Sequence, residues 1–233
     1  MTLCVLAMPA GPALAAYETE WSAGHGDIGL AFEDGELELH YHFESGAVLN
    51  GTPVDGTANP DGVELEPDEA YVRVGDNTFS PTYNNGAGAY LLPQNSASGI
   101  PFVGLASEEL DNTGYSNATV TLTAFSGAGT FELLEATATG LNYFMDTDDG
   151  VTSADTVALG VPTHAHYTYA FSDPGIYDLT LTADVSGSNV AAATDTATFR
   201  FVVGSATAVP EPGSAAALLA IGGMALAARR RRR

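Results

Sequence analysis

The stretch Ile176-Tyr-Asp-Leu-Thr-Leu-Thr-Ala183 alternates in character: Leu179, Leu181 and Ala183 fall on one side of an extended chain, and Asp178, Thr180 and Thr182 on the other. Leucines spaced two apart with threonines between them mark a half-buried strand, one face on a core and one in water. Runs of the same kind recur at residues 28–32, 37–43, 70–74, 119–124, 130–136, 167–171 and 197–203, separated by glycine and Asn/Asp-rich turns. This spacing predicts an all-β fold, a single β-sandwich of Ig-like or jelly-roll type over residues 17–204. The polar, acidic segments 50–66 and 147–159 are expected to be long surface loops. No long helical period occurs before Ala215.

Residues 17–208 carry 28 acidic side chains against only Arg73 and Arg200, a net charge of −26 with no lysine. A surface of that sign repels DNA, RNA and anionic lipid, which excludes nucleic acid as a partner, and it attracts cations, divalent metals included. Its simplest service is solubility in a salty or matrix environment. The single cysteine, Cys4, lies near the N-terminus without the residues of a lipobox before it, so disulfides and thiol chemistry are excluded from the domain.

Both ends of the chain read as addresses. Residues 1–16 hold an apolar stretch closed by Ala13-Leu14-Ala15, the small-x-small pattern of a secretory cleavage site, which would leave Ala16 or Tyr17 first. No basic residue precedes that stretch, so a truncated signal with its start upstream is expected. Residues 205–233 form a short linker, then Val209-Pro210-Glu211-Pro212, an Ala/Leu-rich run over 215–228, and Arg229, Arg230, Arg231, Arg232 and Arg233. As a helix the run of 14 residues is about 21 Å long, short of the ~30 Å hydrocarbon core, and the arginines would sit on the cytoplasmic side. Pro-Glu-Pro, a short transmembrane helix and an arginine cluster in that order resemble the PEP-CTERM sorting signal. The resemblance implies recognition by an exosortase, transient anchoring in the inner membrane, cleavage near Pro210-Glu211-Pro212, and delivery to the cell surface or exopolysaccharide matrix.

The five histidines fall in three places: His25 in Gly24-His-Gly-Asp27-Ile-Gly29, His40 and His42 in Leu39-His-Tyr-His-Phe43, and His164 and His166 in Thr163-His-Ala-His-Tyr167. On a strand, residues two apart share a face with side chains about 6.5–7 Å apart, near enough for two imidazoles to reach one ion. Two such pairs with His25 and Asp27 offer a nitrogen-rich site, suited to Zn²⁺ and, after it, Cu²⁺ or Ni²⁺, whereas Ca²⁺ asks for oxygens. Asp27 serves either as a ligand or as the acceptor that orients a histidine. A lone His-x-His is ordinarily a solvent-facing strand feature, so the metal reading requires that the three places meet at one end or face of the sandwich.

At these residues a second resemblance appears. Gly24-His25-Gly-Asp27-Ile-Gly29, Tyr90-Leu-Leu-Pro-Gln94 with Phe102-Val-Gly-Leu-Ala-Ser-Glu108-Glu109, and Thr163-His164-Ala-His166-Tyr-Thr-Tyr-Ala-Phe171 running into Pro174-Gly-Ile-Tyr177 resemble the choice-of-anchor M surface domain. Tyr169 stands where that family often has tryptophan. The resemblance implies an extracellular β-sandwich that handles zinc or a similar metal, with metal-uptake components among its partners.

Other motifs carry less. Asp146-Thr-Asp148-Asp149-Gly150 fails the EF-hand spacing, since Gly150 takes a ligand position and Val157 stands where the bidentate glutamate belongs, so calcium is a secondary candidate and the segment reads as a solvated turn. Gly86-Ala-Gly-Ala-Tyr90 lacks the lysine and helix of a phosphate loop. Glu108 and Glu109, placed on a strand, would point to opposite faces and make a poor acid/base pair, and Gly-x-Ser-x-Gly is absent. The sequence thus predicts a surface-sorted, non-enzymatic protein that binds zinc. The rival is a structural matrix or adhesion protein that binds exopolysaccharide with incidental histidines.

Overall fold

Asp34 and Gly35 both take positive φ, 49° and 93°. This is the two-residue turn whose twist suits a tight hairpin, and it folds the first long strand back on the second. The computed structural model describes residues 17–83, 86–111 and 113–206. The signal segment, Cys4, the C-terminal apolar run and the Pro210-to-Arg233 sorting signal lie outside the described residues. Among the described residues no helix is long and apolar enough to cross a membrane.

The strands in chain order are β1 (Thr19–Glu33), β2 (Glu36–Phe43), β3 (Val48–Leu49), β4 (Thr52–Pro53), β5 (Val63–Leu65), β6 (Ala70–Val74), β7 (Phe79–Ser80), β8 (Ala89–Leu92) and β9 (Pro101–Ala106). They continue with β10 (Tyr115–Ser126), β11 (Phe131–Thr137), β12 (Gly140–Asp146), β13 (Thr156–Gly160), β14 (His164–His166), β15 (Thr168–Phe171), β16 (Gly175–Gly187) and β17 (Ala193–Val203). All eight expected runs are strands, most of them longer than the alternation alone indicated. The expected loops need correcting: segment 50–66 contains β4 and β5, and segment 147–159 runs into β13. Glu108 and Glu109 also leave the expected strand geometry, because Glu108–Leu110 is a 3-10 turn that follows β9.

The fold is all-β in two sheets. The larger runs β13-β10-β16-β17-β6-β1-β2-β5, with β9 on β1, β14 on β9, and the short β3-β4 pair also on β1; the smaller runs β12-β11-β15-β8-β7. Three ladders are parallel, β1 with β6, β1 with β9 and β17 with β6. The sheets meet through aromatic rings, Phe201 lying 5.2 Å from Phe171 and 5.8 Å from Tyr169 between ring centres. Burying each such ring stabilises the fold by about 1.5–3 kcal/mol relative to exposure.

Strand β1 changes partners partway. Its first residues pair with β3 and β6, the register shifts between Trp21 and Ala23, and Gly24 follows with φ 79°. A side chain at Gly24 would collide with the backbone oxygen of Gly46, so only glycine fits this bend. Beyond it β1 pairs with β2 on one side and β9 on the other, and β14 pairs with β9. The Asp34-Gly35 turn sets the first of those registers, and with it the partners of the histidines.

Candidate metal centre

In the row β2-β1-β9-β14, Asp27 lies opposite His42 and Gly104, and Gly104 lies opposite His166. One step along, Gly29 lies opposite His40 and Ala106, and Ala106 opposite His164; His25 pairs with Phe102 at the near end. Residues two apart on a strand share a face, so all five histidines and Asp27 stand on one face of these four strands. It is the face away from the core, since the alternate residues Ile28, Leu39, Tyr41, Val103 and Leu105 are buried in the hydrophobic cluster.

On that face the side chains form two groups. His25, Asp27, His164 and His166 make the first, their ligand atoms all within 4.8 Å of one another. His40, His42 and Glu109 make the second, to the same limit. The three histidine places therefore share a face, but His40 and His42 are not gathered with the other three around one point.

In the first group, Nε2 of His25 and Nε2 of His164 lie 3.1 Å apart, and each faces Oδ1 of Asp27, at 3.5 and 3.1 Å. The far nitrogens are held by carboxylates: His25 Nδ1 lies 2.9 Å from Glu44 and His164 Nδ1 3.1 Å from Glu108. Ionised carboxylates only accept, so both Nδ1 atoms carry protons, and the neutral rings turn bare Nε2 lone pairs toward each other and toward Asp27. Three electron-rich atoms converging in this way require a cation among them. A tetrahedral ion with bonds of about 2.0–2.1 Å has ligand-to-ligand edges of roughly 3.3 Å, the spacing these atoms already have.

Burial sharpens the demand. Asp27 is only 3% exposed, and its Oδ1 and the Nδ1 of His166 are buried without a well-formed hydrogen bond. Such orphan atoms are costly unless something fills the gap between them. Burial opposes the charge on Asp27, but His164 and His25 outweigh it and hold the carboxyl down at about 2. Burial likewise opposes protonation of His25, yet Asp27 and then Glu44 hold the imidazolium up to about 9. The hydrogen bond to Asp27 is the main force raising His164, whereas burial leads in lowering His166 and disfavours its charged form. Without a metal, protons supply the missing positive charge.

Several supports escaped the sequence reading. Gly104 leaves the space the ligands occupy: a methyl group there would sit 2.0 Å from Asp27 Oδ1 and 3.1 Å from His164 Nε2. Phe102 stacks on His166 with ring centres 3.6 Å apart. Ser107, fully buried, binds Gly160 O through its hydroxyl at 2.7 Å and accepts from Thr163 N at 3.0 Å, which pins the approach to β14. Glu44, Glu108 and Glu109 carry no mark among so many acids, adjacent pairs of which recur at 33–34, 68–69 and 148–149.

No curated protein and no solved structure matches the chain. Residues 208–233 match the PEP-CTERM protein-sorting motif, and the chain is thereby an exported protein sorted to the cell surface by an exosortase.

Proposed function

We propose that this surface protein binds zinc at His25, Asp27, His164 and His166, to capture, store or hand over the metal outside the cell. The observation that carries the reading is the pair of Nε2 atoms, each with its Nδ1 proton committed to a carboxylate, facing a buried aspartate at tetrahedral-edge distances. Four protein donors fill a tetrahedral shell and leave no open position for a reacting water, which favours binding over hydrolysis. Three imidazoles and one carboxylate suit zinc and argue against calcium. The resemblance to the choice-of-anchor M domain points the same way, and the acidic surface would concentrate cations near the site.

The test is zinc titration of the purified chain, followed by calorimetry. Four-ligand zinc sites in small domains are worth about 10–16 kcal/mol, so His164→Ala with His166→Ala, which removes half the donors, should weaken zinc at this centre by at least ~1,000-fold. Far-UV circular dichroism should still report strands. Unchanged affinity in the double variant would remove these histidines from the centre, and no zinc bound by the parent chain would leave the matrix-protein reading in its place.

Sorting has its own check. Replacing Pro210 and Glu211 in a host that carries an exosortase should leave an unprocessed form retained with the membrane. Identical processing of variant and parent would show that the motif is not what the enzyme reads here.

A further inference from the structure

His42 has one nitrogen whose state is settled. Its Nε2 lies 3.0 Å from the backbone oxygen of Asp61, which can only accept, so Nε2 carries a proton. The neutral ring then points a bare Nδ1 at Glu109 Oε1, 3.1 Å away, and His40 Nε2 approaches the same oxygen at 3.2 Å. His40 is only 4% exposed and is held in place by Gly29, where an added methyl would lie 2.9 Å from its Nε2. Gly62 closes on His42 from the other side: with φ 91°, it has room for no side chain, because a methyl would come within 2.3 Å of the ring nitrogen. The arrangement is walled and convergent, and its two edges at Glu109 Oε1, 3.1 and 3.2 Å, are close to those of a tetrahedral ion, roughly 3.3 Å. Neither arginine of the domain can supply the cation, since Arg73 is paired with Glu20 and Arg200 with Asp178.

We propose that His40 Nε2, His42 Nδ1 and Glu109 Oε1 form a second, separate position for a divalent transition metal. Three protein donors leave it one coordination place open to water, and His42 and Glu109 are partly exposed, at 23% and 31% of their side chains. It is the exchangeable partner of the closed centre beside it, reached across the Asp27–His42 pair of strands β1 and β2. An ion arriving from solvent finds an open coordination place there and has a full four-donor site as its neighbour across the β1–β2 pairing. The second position uses none of the side chains of the first, so each stands or falls alone.

The experiment counts zinc bound per full-length chain, after chelator treatment and reloading, by metal analysis with titration calorimetry. The parent is expected to take two equivalents, the weaker one exchanging faster. Glu109→Gln, and separately His42→Ala, should each lose the weaker equivalent and keep the tighter one, which also shows that the variants fold. In His164→Ala with His166→Ala the weaker equivalent should survive. If the parent binds one equivalent that Glu109→Gln leaves untouched, the cation between His42 and Glu109 is a proton and the second position is wrong. If the parent binds one equivalent that Glu109→Gln abolishes and the double histidine variant keeps, the second position stands and the first centre fails.

Discussion

Gly104→Ala is expected to abolish zinc binding at the four-donor centre while leaving the fold and the second position intact. Gly104 sits in β9 between Asp27 on one side and His166 on the other. Its φ is not in the left-handed region, so alanine meets no backbone strain there and the whole effect falls on the site. The new methyl would lie 2.0 Å from Asp27 Oδ1 and 3.1 Å from His166 Cε1. The carboxylate must retreat by roughly 1 Å to restore contact distance, and it has no free direction, because the side chain is buried. Moving a supporting group alone costs a metal site about 10–100-fold, and here a ligand itself is displaced, so a loss beyond 100-fold is the expected result. Calorimetry on the variant beside Gly29→Ala separates the two positions, since the latter crowds His40 instead. Native affinity for the tight equivalent in Gly104→Ala would mean that Asp27, His164 and His166 do not converge over this glycine.

The alternation in residues 176–183 and its echoes revealed the strands because a half-buried strand imposes its period on the sequence locally. The His-x-His pairs were legible for the same reason: spacing of two puts both rings on one face, whatever the strand's neighbours are. The neighbours were not legible. Strand β9 lies parallel to β1 although the two are far apart in the chain, and nothing in either segment encodes that pairing except the shared pattern of buried residues. The division into two groups follows from register, which places His42 beside Asp27 but gives its Nδ1 to Glu109. The carboxylates were hidden by number. In a chain with 29 acids, Glu44, Glu108 and Glu109 differ from the rest only in where the backbone takes them, and Glu109 reaches the histidines because residues 108–110 wind into a 3-10 turn instead of continuing β9. The Asp34-Gly35 turn sets the β1–β2 register, and its two positive φ values explain how His40 comes to face Gly29.

The stabilisation that zinc confers should grow as pH rises from 6 to 8, against the trend of the metal-free protein. In the metal-free chain His25 and His42 are raised from 6.5 to about 9, His25 by Asp27 and Glu44 against the opposing effect of burial, and His42 chiefly by its hydrogen bond to Glu109. A raised histidine binds its proton more tightly folded than unfolded. Its contribution to stability is therefore complete below pH 6.5 and is lost as pH climbs through about 9. Asp27 and Glu109, held down at about 2 against burial by their histidine partners, contribute above the ordinary carboxylate range and lose that contribution only as pH falls through about 2. The metal-free protein should accordingly weaken from pH 6.5 upward. Zinc takes the place of those protons, so each one displaced makes apparent affinity rise by up to about tenfold per pH unit below 9. Free zinc at 1,000 times its dissociation constant adds about 4.1 kcal/mol of stability. For a domain of this size that is roughly 8–16 °C in Tm. Thermal melts in chelator and in fixed excess zinc, at pH 6 and pH 8, compare the two states at equal net surface repulsion from the remaining acids. The expected outcome is a Tm gap between them that widens at pH 8 as the chelated protein falls. A gap of the same size at both pH values would show that the metal does not replace protons on these histidines, and no gap at either would remove zinc from the site.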